Sequence, residues 1–336
     1  LGRPRGIPNQ KMRLDPVAQR LEKLLGQKVR KVDHCVGDEV ERLVANLSPG
    51  EILLLENLRF HAAEETNSPG FAAQLASLCD VYVNDAFGVA HRAHASTEGM
   101  ARLVPECVAG LLMEKELKYL TMAVSAPKRP YVAIVGGAKI SGKIDVLKSF
   151  LECADKVLIG GAMTYTFLHA QGIEVGASLV EKDKLEIARS TMARAGNRLL
   201  LPTDHVIATK LSTNAETRVI DGHREPIPSY MKALDIGPAT VDLYRAIIAE
   251  AEFIVWNGPM GAFEIPQFAH GTIEIAKAVS KSGAVSIVGG GDSEKAIRVA
   301  GVESGITHIS TGGGASLEFL AGHQLPGVEV LGGISP

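Results

Sequence analysis

Hydrophobic positions along this chain follow two rhythms. Between residues 16 and 25, Val17, Ala18, Leu21, Leu24 and Leu25 recur at helical spacing and predict an amphipathic helix. Compact apolar runs at 28–32, 51–55 (EILLL) and 80–84 (DVYVN) predict short strands. Residues 71–78 read as a helix, and 106–120 as a long amphipathic one. Pro127 and Pro130 follow. Proline removes a backbone donor and disfavours helix in the residue before it, so a domain junction is expected within 121–129.

Beyond the prolines a single pattern keeps returning. An apolar run ends in glycines and a helix-like segment follows, at 131–137 (YVAIVGG), 157–161 (VLIGG), 253–261 (FIVWNGPMG), 285–291 (VSIVGGG) and 308–314 (HISTGGG). Runs this apolar suit strands buried on both faces. Alternation with helices implies a parallel sheet with right-handed crossovers. The glycines then lie at the carboxyl ends of the strands, the edge where open α/β sheets bind ligands. Residues 197–227 are more strand- and turn-like and read as a small excursion from that sheet.

Composition narrows the picture. At about 100–200 residues per domain, 336 residues suggest two domains. A hydrophobic fraction of 46% with 22% charged residues excludes a disordered or collagen-like chain. The formal net charge of -3 and a pI near 6.4 give no sign of a nucleic-acid or membrane partner. No apolar run reaches the ~18 residues of a membrane span. Cys35, Cys79, Cys107 and Cys153 lack metal-binding spacing and read as ordinary thiols of a reducing compartment. The chain starts at Leu1 without a charged-then-apolar leader, which points to the cytoplasm.

The glycine turns are the first candidate chemistry. N–H groups at a helix start point outward unpaired, at the positive end of the helix dipole, and glycine lets an anion come close to them. A single such turn can equally serve tight strand–helix packing, whereas several on one sheet edge suggest a polyphosphate ligand. Gly136-Gly137-Ala138-Lys139-Ile140-Ser141-Gly142-Lys143 adds two cations at i, i+4 in what reads as the first helical turns, either a solvated pair or the flank of an anion. This segment approaches a P-loop, but Ile144 stands where Ser or Thr should ligate Mg²⁺. No cluster spells G-x-G-x-x-G, so a dinucleotide fingerprint is absent too. Asp292 and Ser293, directly after Gly289, Gly290 and Gly291, read either as a Mg²⁺ carboxylate beside a hydroxyl or as a plain helix N-cap. Residues 256–264 form a rigid wall in which Glu264 is a ribose acceptor or a surface charge.

The first domain differs. Arg3 and Arg5 flank Pro4 near the start, while Arg59 and His61, then His91, Arg92 and His94, trail predicted strand ends. Arginine pairs bidentately with carboxylate or phosphate, and histidine can donate near neutral pH. Taken singly these are surface residues. Clustered, Arg3, Arg59, Arg92 and His94 would bind a small, multiply anionic molecule. His91 and His94 lack a third ligand, which sets a metal site aside.

These segments carry a resemblance. LGRP (1–4), ENLRF (56–60), NDAFGVAHRAHAS (84–96), GGAK (136–139), GGAM (160–163), DIGPAT (235–240), WNGPMGAFE (256–264), GGGDS (289–293) and STGGGASLE (310–318) follow in an order that resembles the phosphoglycerate kinase family along the whole chain. The resemblance implies an α/β fold of two Rossmann-like domains, with parallel sheets flanked by helices and a hinge helix between them. The phosphoglycerate-binding domain would take 1–120 with a return segment at 323–336, and the nucleotide-binding domain 121–322. The implied reaction is reversible phosphoryl transfer from 1,3-bisphosphoglycerate to ADP, giving 3-phosphoglycerate and ATP in glycolysis, with Mg²⁺ bound alongside the nucleotide. A cytoplasmic monomer without nucleic-acid or membrane partners is implied as well. Leu1, Gly2, Arg3, Arg59 and Arg92 match the substrate-anion ligands, with His94 in the same patch. Lys139 and Lys143 match lysines on the nucleotide phosphates and the transferring group. Gly136, Gly137, Ala138, Gly160, Gly161, Asn257, Pro259, Gly290 and Gly291 match nucleotide-binding turns, and Glu264 the ribose contact. Asp292 matches the Mg²⁺ ligand with Ser293 beside it. Gly312, Gly313 and Gly314 match the helix start facing the moving phosphoryl group.

The departure is at the start. The family pattern runs upstream of LGRP through an Arg-Val-Asp-Phe-Asn-type strand and a further arginine, neither present in this sequence. At about 30 residues per βα unit, roughly two units are expected to be missing, with exposed sheet edges in the first domain. On that expectation the chain alone is catalytically weak, and an impaired nucleotide-binding fragment is the alternative reading. An NAD-dependent dehydrogenase rests only on glycines and α/β alternation and leaves Lys139 and Lys143 without a role.

Overall fold

A computed structural model describes the chain except residues 126–127, 223–224 and 333–336. Pro127 of the expected junction and the last residues of the expected return segment therefore lie outside the described residues. Two compact units emerge, one of residues 1–114 with 324–332 and the other of residues 115–323.

In the first unit, α1 (Asp15–Leu25) carries proline in its first turn and stops at Gly26, whose φ of 66° no branched residue would accept cheaply. β1 (Val29–Lys31), α2 (Asp38–Ala45) and β2 (Ile52–Leu54) follow, with β1 and β2 paired in parallel. Two helices, α3 (Ala62–Glu65) and α4 (Pro69–Ala76), lead to β3 (Val81–Asn84), which pairs in parallel with β4 (Glu106–Ala109). The two pairs remain separate sheets. Along β3, Tyr82 and Asn84 are buried while Val81 and Val83 stay exposed, so one face of this strand is uncovered.

The sequence predicts a helix over 106–120, and its first part is strand instead. Cys107 and Val108 lie in register with Tyr82 and Val83, and Gly110 donates its N–H to the Asn84 carbonyl at 2.9 Å. The helix α5 (Leu111–Ser125) begins only after that glycine. Asp85 fixes its start by accepting the Met113 N–H at 2.9 Å. The boundary between the units falls early in α5.

The second unit is built on β5 (Tyr131–Val135), α6 (Ile144–Cys153), β6 (Lys156–Ile159), α7 (Thr164–Ala170), α8 (Leu185–Ala195) and β7 (Leu199–Leu200). A three-stranded antiparallel sheet comes next, β8 (Asp204–Ala208), β9 (Thr217–Asp221) and β10 (Lys232–Ile236), in the order β10-β8-β9. It is the excursion expected at 197–227, extended by β10. The chain returns through α9 (Pro238–Ala249), β11 (Phe253–Asn257), α10 (His270–Lys281), β12 (Val285–Gly289), α11 (Gly291–Ala300), β13 (His308–Ser310) and α12 (Gly314–Leu320).

The main sheet runs β13-β12-β11-β5-β6-β7, with every neighbouring pair parallel. All residues of β5 and β11 are buried, as their unbroken apolar runs require. Ile134, Ile254, Trp256 and Val288 pack on one side with Tyr244, Ile275 and Ile297 of the covering helices. On the other side Tyr131 meets Phe150 and Phe253 edge-on at 6.4 and 5.2 Å. The chain leaves β5 in one direction and later comes back beside it as β11. That places a topological switch point, and its crevice, at the carboxyl ends of β5 and β11. A last short helix, α13 (Pro326–Glu329), belongs to the first unit, where Gly327 donates to the Ala90 carbonyl at 2.9 Å.

Candidate active site

At the switch point the glycine turns grip one another. Gly136 donates its N–H to the Asn257 carbonyl at 2.9 Å, Gly137 to Pro259 at 3.0 Å, and Gly161 to Met260 at 2.8 Å. Gly160 donates to Val135 at 3.0 Å. Read from the sequence, these N–H groups cradle a phosphate; the structure uses them internally instead. These glycines serve close approach: a Cβ on Gly136 would lie 2.1 Å from the Pro259 carbonyl oxygen, and one on Gly160 2.4 Å from the Met260 sulfur. No side chain caps the glycine-led starts of α11 and α12, whose first amides have no partner within their own helix.

Lys139 and Lys143 do not share a helix face. α6 begins at Ile144, so both lysines lie in the preceding loop, which Gly137 turns with a φ of 119° and which closes through Lys143 N–H to the Ile140 carbonyl at 2.8 Å. Lys139 is exposed. Lys143 is desolvated: burial lowers its pKa from 10.5 to about 8, partly offset by the Asp292 carboxylate. The fold thus brings Lys143 before α6 and Asp292 in the first turn of α11 into electrostatic contact.

The N-cap reading of Asp292 and Ser293 fails, because Gly290, with a φ of 93°, occupies the cap and no side chain caps α11. Ser293 is buried, and its hydroxyl accepts the Gly258 N–H at 2.6 Å. It holds the 257–259 turn in place. Asn257 donates through Nδ2 to the Gly289 carbonyl at 2.9 Å, while its buried Oδ1 has no partner. Such an orphaned acceptor has its need met by a ligand or an ordered water. Pro259 is half-buried beside it and Glu264 is exposed.

One anchor escapes sequence reading altogether. Glu116 of α5 is fully buried within the second unit. It accepts the Thr311 N–H at 2.7 Å and the Thr311 hydroxyl at 2.9 Å, and pairs with His308 Nε2 at 2.9 Å. Tyr119 stacks on His308 at 4.5 Å. Burial pushes the Glu116 pKa up, but the bonds from His308 and Thr311 outweigh it and hold the carboxyl below its usual range. The turn entering Gly312, Gly313 and Gly314 is fixed by this carboxylate. A glutamate in an amphipathic helix carries no signal that distinguishes it from a solvated charge.

Asp235 supports the wall opposite. Its carboxylate accepts the Gly271 N–H at 2.7 Å and the Ile236 N–H at 2.9 Å, and a Cβ on Gly261 would meet it at 2.3 Å. Burial raises its pKa from 3.8 to about 7 against the pull of those two N–H groups. A raised carboxyl pKa means the folded chain holds a proton that the unfolded chain has lost. The stability this group contributes is full below about pH 4 and is lost as pH rises through 7. Asp235→Asn cannot titrate. Between about pH 4 and pH 8 the parent should therefore lose up to roughly 4 kcal/mol relative to the variant. Thermal unfolding of both at pH 5 and pH 8 checks this; a difference in Tm independent of pH would exclude it.

In the first unit the LGRP and ENLRF segments are bound together. Asn57 accepts the Leu1 nitrogen at 2.9 Å and donates to the Leu1 carbonyl at 2.7 Å, and Arg59 donates to the Gly2 carbonyl at 3.0 Å. Leu1, Gly2, Arg59 and His94 line one cavity of about 820 Å³, together with Leu53, Leu54 and Leu55. His94 is buried with Nδ1 3.9 Å from Glu64, and burial lowers its pKa, so it is a neutral donor rather than a cation at pH 7. Arg3 and Arg92 are exposed and do not line the cavity; the Arg92 Nε bonds His91 at 3.2 Å. His94 nevertheless lies in the field of both Arg59 and Arg92, whose charges add to the lowering of its pKa.

The family model of phosphoglycerate kinase matches residues 1–323. This chain belongs to the phosphoglycerate kinase family. The phosphoglycerate kinase of Solibacter usitatus is 59% identical over 331 residues, covering 98% of this chain and 83% of that protein. That of an Anaeromyxobacter species is 54% identical over 338 residues, covering 99% of this chain and 85% of its own length. The chloroplastic phosphoglycerate kinase of Volvox carteri is 55% identical over 337 residues, 98% of this chain and 72% of that one. Among solved structures, phosphoglycerate kinase from Coxiella burnetii superposes with a TM-score of 0.89 at 40% identity, covering 99% of this chain and 84% of that one. The enzyme from Pyrococcus horikoshii gives 0.84 at 36% identity, covering 95% and 82%. The α/β fold with parallel sheets flanked by helices is that of the family. Identity at this level over nearly the whole chain identifies a kinase and sets aside the dehydrogenase.

Proposed function

We propose that the chain catalyses reversible phosphoryl transfer between 1,3-bisphosphoglycerate and ADP, with Lys143 and Asp292 at the centre of the nucleotide site. The carrying observation is their convergence at the switch point of the parallel sheet, a desolvated lysine in the field of a carboxylate. A loose phosphoryl transition state needs positioning and charge stabilisation rather than covalent help. With a pKa near 8, Lys143 is mostly protonated at pH 7 and offers its charge to the moving group. Lys139, exposed beside it, reaches the nucleotide phosphates, and the amides of Gly313 and Gly314 at the uncapped start of α12 donate to the transferred group. Glu264 accepts from the ribose. The leaving group toward ADP is a carboxylate, so no strong general base is needed.

The residues also suit Mg²⁺. Among the described residues no cluster of three or more His, Cys, Asp or Glu forms a cage, whereas Mg²⁺ ordinarily takes one or two carboxylates together with phosphates and water. Asp292 would hold it, and the unpartnered Asn257 Oδ1 is a second oxygen donor in the same crevice wall. When bound, Mg²⁺ neutralises phosphate charge. Substrate anions bind the first unit through Arg59 and the LGRP turn, with Arg3 and Arg92 from the surface. In-line transfer then requires closure about α5, which also excludes water.

The reading includes a cytoplasmic monomer. Among the described residues no helix is long and apolar enough to cross a membrane, and all four cysteines are free thiols with pKa values raised by burial. Coupled-assay formation of ATP from 1,3-bisphosphoglycerate and Mg-ADP tests the activity; ADP binding without transfer would overturn it. Arg92→Ala should weaken 3-phosphoglycerate binding about tenfold, the scale of one charged hydrogen bond, and leave the ADP Kd unchanged. Calorimetry with each ligand decides, and an unaltered 3-phosphoglycerate Kd would remove Arg92 from the substrate site.

A further inference from the structure

We infer that Glu181 is a positioning residue for the two lysines, acting through Ser141. The inference rests on the role proposed above for Lys139 and Lys143. The β5–α6 loop is pinned at its start by the Gly136 and Gly137 bonds to the Asn257 and Pro259 carbonyls, and at its end by the Lys143–Ile140 turn over a buried Ile140. Between them, Lys139 and Lys143 flank Ser141 two residues to either side. Glu181 takes hold of Ser141 with both oxygens: Oε2 accepts the backbone N–H at 3.1 Å and Oε1 accepts the hydroxyl at 2.5 Å. Its own N–H donates at 3.1 Å to Oγ1 of Thr166, a buried residue of α7. The clamp is therefore anchored in the helix layer. It sets where the loop carries its two ammonium groups, and no other side-chain bond among the described residues reaches loop residues 138–142.

Two hydrogen-bond acceptors on one carboxylate make the clamp separable from the charge. Gln at 181 can accept the Ser141 N–H through its carbonyl and donate its NH₂ to the Ser141 hydroxyl, keeping both bonds without the charge. A misplaced lysine mainly costs the transition state, so the effect belongs in kcat.

Glu181→Ala should lower kcat about tenfold with the ADP KM changed less than about threefold, and Glu181→Gln should recover to within about threefold of the parent. Ser141→Ala should share the loss, and Glu181→Ala combined with Ser141→Ala should be no worse than Glu181→Ala alone. Hydrogen exchange at the Ser141 amide should speed up in Glu181→Ala and stay slow in Glu181→Gln. A folded Glu181→Ala with parental kcat, an equal loss in Glu181→Gln, or additive losses in the double variant would each overturn the inference. If Glu181→Ala does not fold, Ser141→Ala and Glu181→Gln decide by the same criteria. A parent that transfers, a dead Lys143→Ala and an unaffected Glu181→Ala would sink this inference alone; a parent without transfer would sink the function instead.

Discussion

Lys143→Ala should lower kcat by about a hundred- to a thousandfold while shifting the ADP Kd by less than about threefold. That range is what removal of one preorganised charge donor costs when it acts on charge developing in the transition state. The structure supports a strong effect for a specific reason. Lys143 is already desolvated in the folded chain, its pKa lowered to about 8 by burial, so little further desolvation is needed when it meets the moving group. Asp292 is close enough to raise that pKa in part, which favours the charged ammonium. On the proposed reading ADP binding draws instead on the whole wall from Gly136 to Glu264, so it should survive the loss of one cation. Single-turnover rates and calorimetric ADP titration measure the two quantities separately. Equal losses in both would mean that Lys143 binds substrate and transition state alike, with no catalytic preference.

How far the sequence reaches is clear from particular residues. The strand ends of the second unit were legible because unbroken apolar runs closing on glycine admit few structures. β5, β6, β11, β12 and β13 all stand where such runs predict them. The direction of the glycine amides was not legible. Whether Gly136 points its N–H at a ligand or at Asn257 depends on a loop far away in sequence, which only the folded sheet brings alongside. The i, i+4 spacing of the lysine pair suggests a helix face, yet the turn at Gly137 comes first and the helix begins only at Ile144. Residues 106–109 have a helix-compatible pattern that pairing with β3 overrides. Glu116 and Glu181 had no signal, since a carboxylate that anchors a loop and one that faces water are the same letter. What they do follows from partners supplied by other elements, Thr311 and His308 for one and Ser141 for the other.

The interlocked turns lead to the second large effect. Gly136→Ala should destabilise the second unit by about 3 kcal/mol or more, seen as a fall in Tm of about 6–12 °C, and should weaken ADP binding with it. Gly136 does not take a left-handed conformation, so the cost is not backbone strain at that residue. It is contact. The new methyl would lie 2.1 Å from the Pro259 carbonyl oxygen, 2.7 Å from that of Gly258 and 2.7 Å from the Met260 methyl. A flexible side chain could swing away, but two of these three neighbours are backbone. Their displacement breaks the Gly136–Asn257 and Gly137–Pro259 bonds that join the loop after β5 to the loop after β11. Gly142 provides the control within the same motif. A Cβ there meets nothing within 4 Å and its φ is not positive, so Gly142→Ala should be neutral or stabilise by up to about 1 kcal/mol through the unfolded chain. Thermal unfolding and ADP titration of the two variants side by side separate steric interlock from a general need for glycine in this loop. A Gly136→Ala protein with parental Tm and parental ADP affinity would show that the loops after β5 and β11 can part without harm to the nucleotide site.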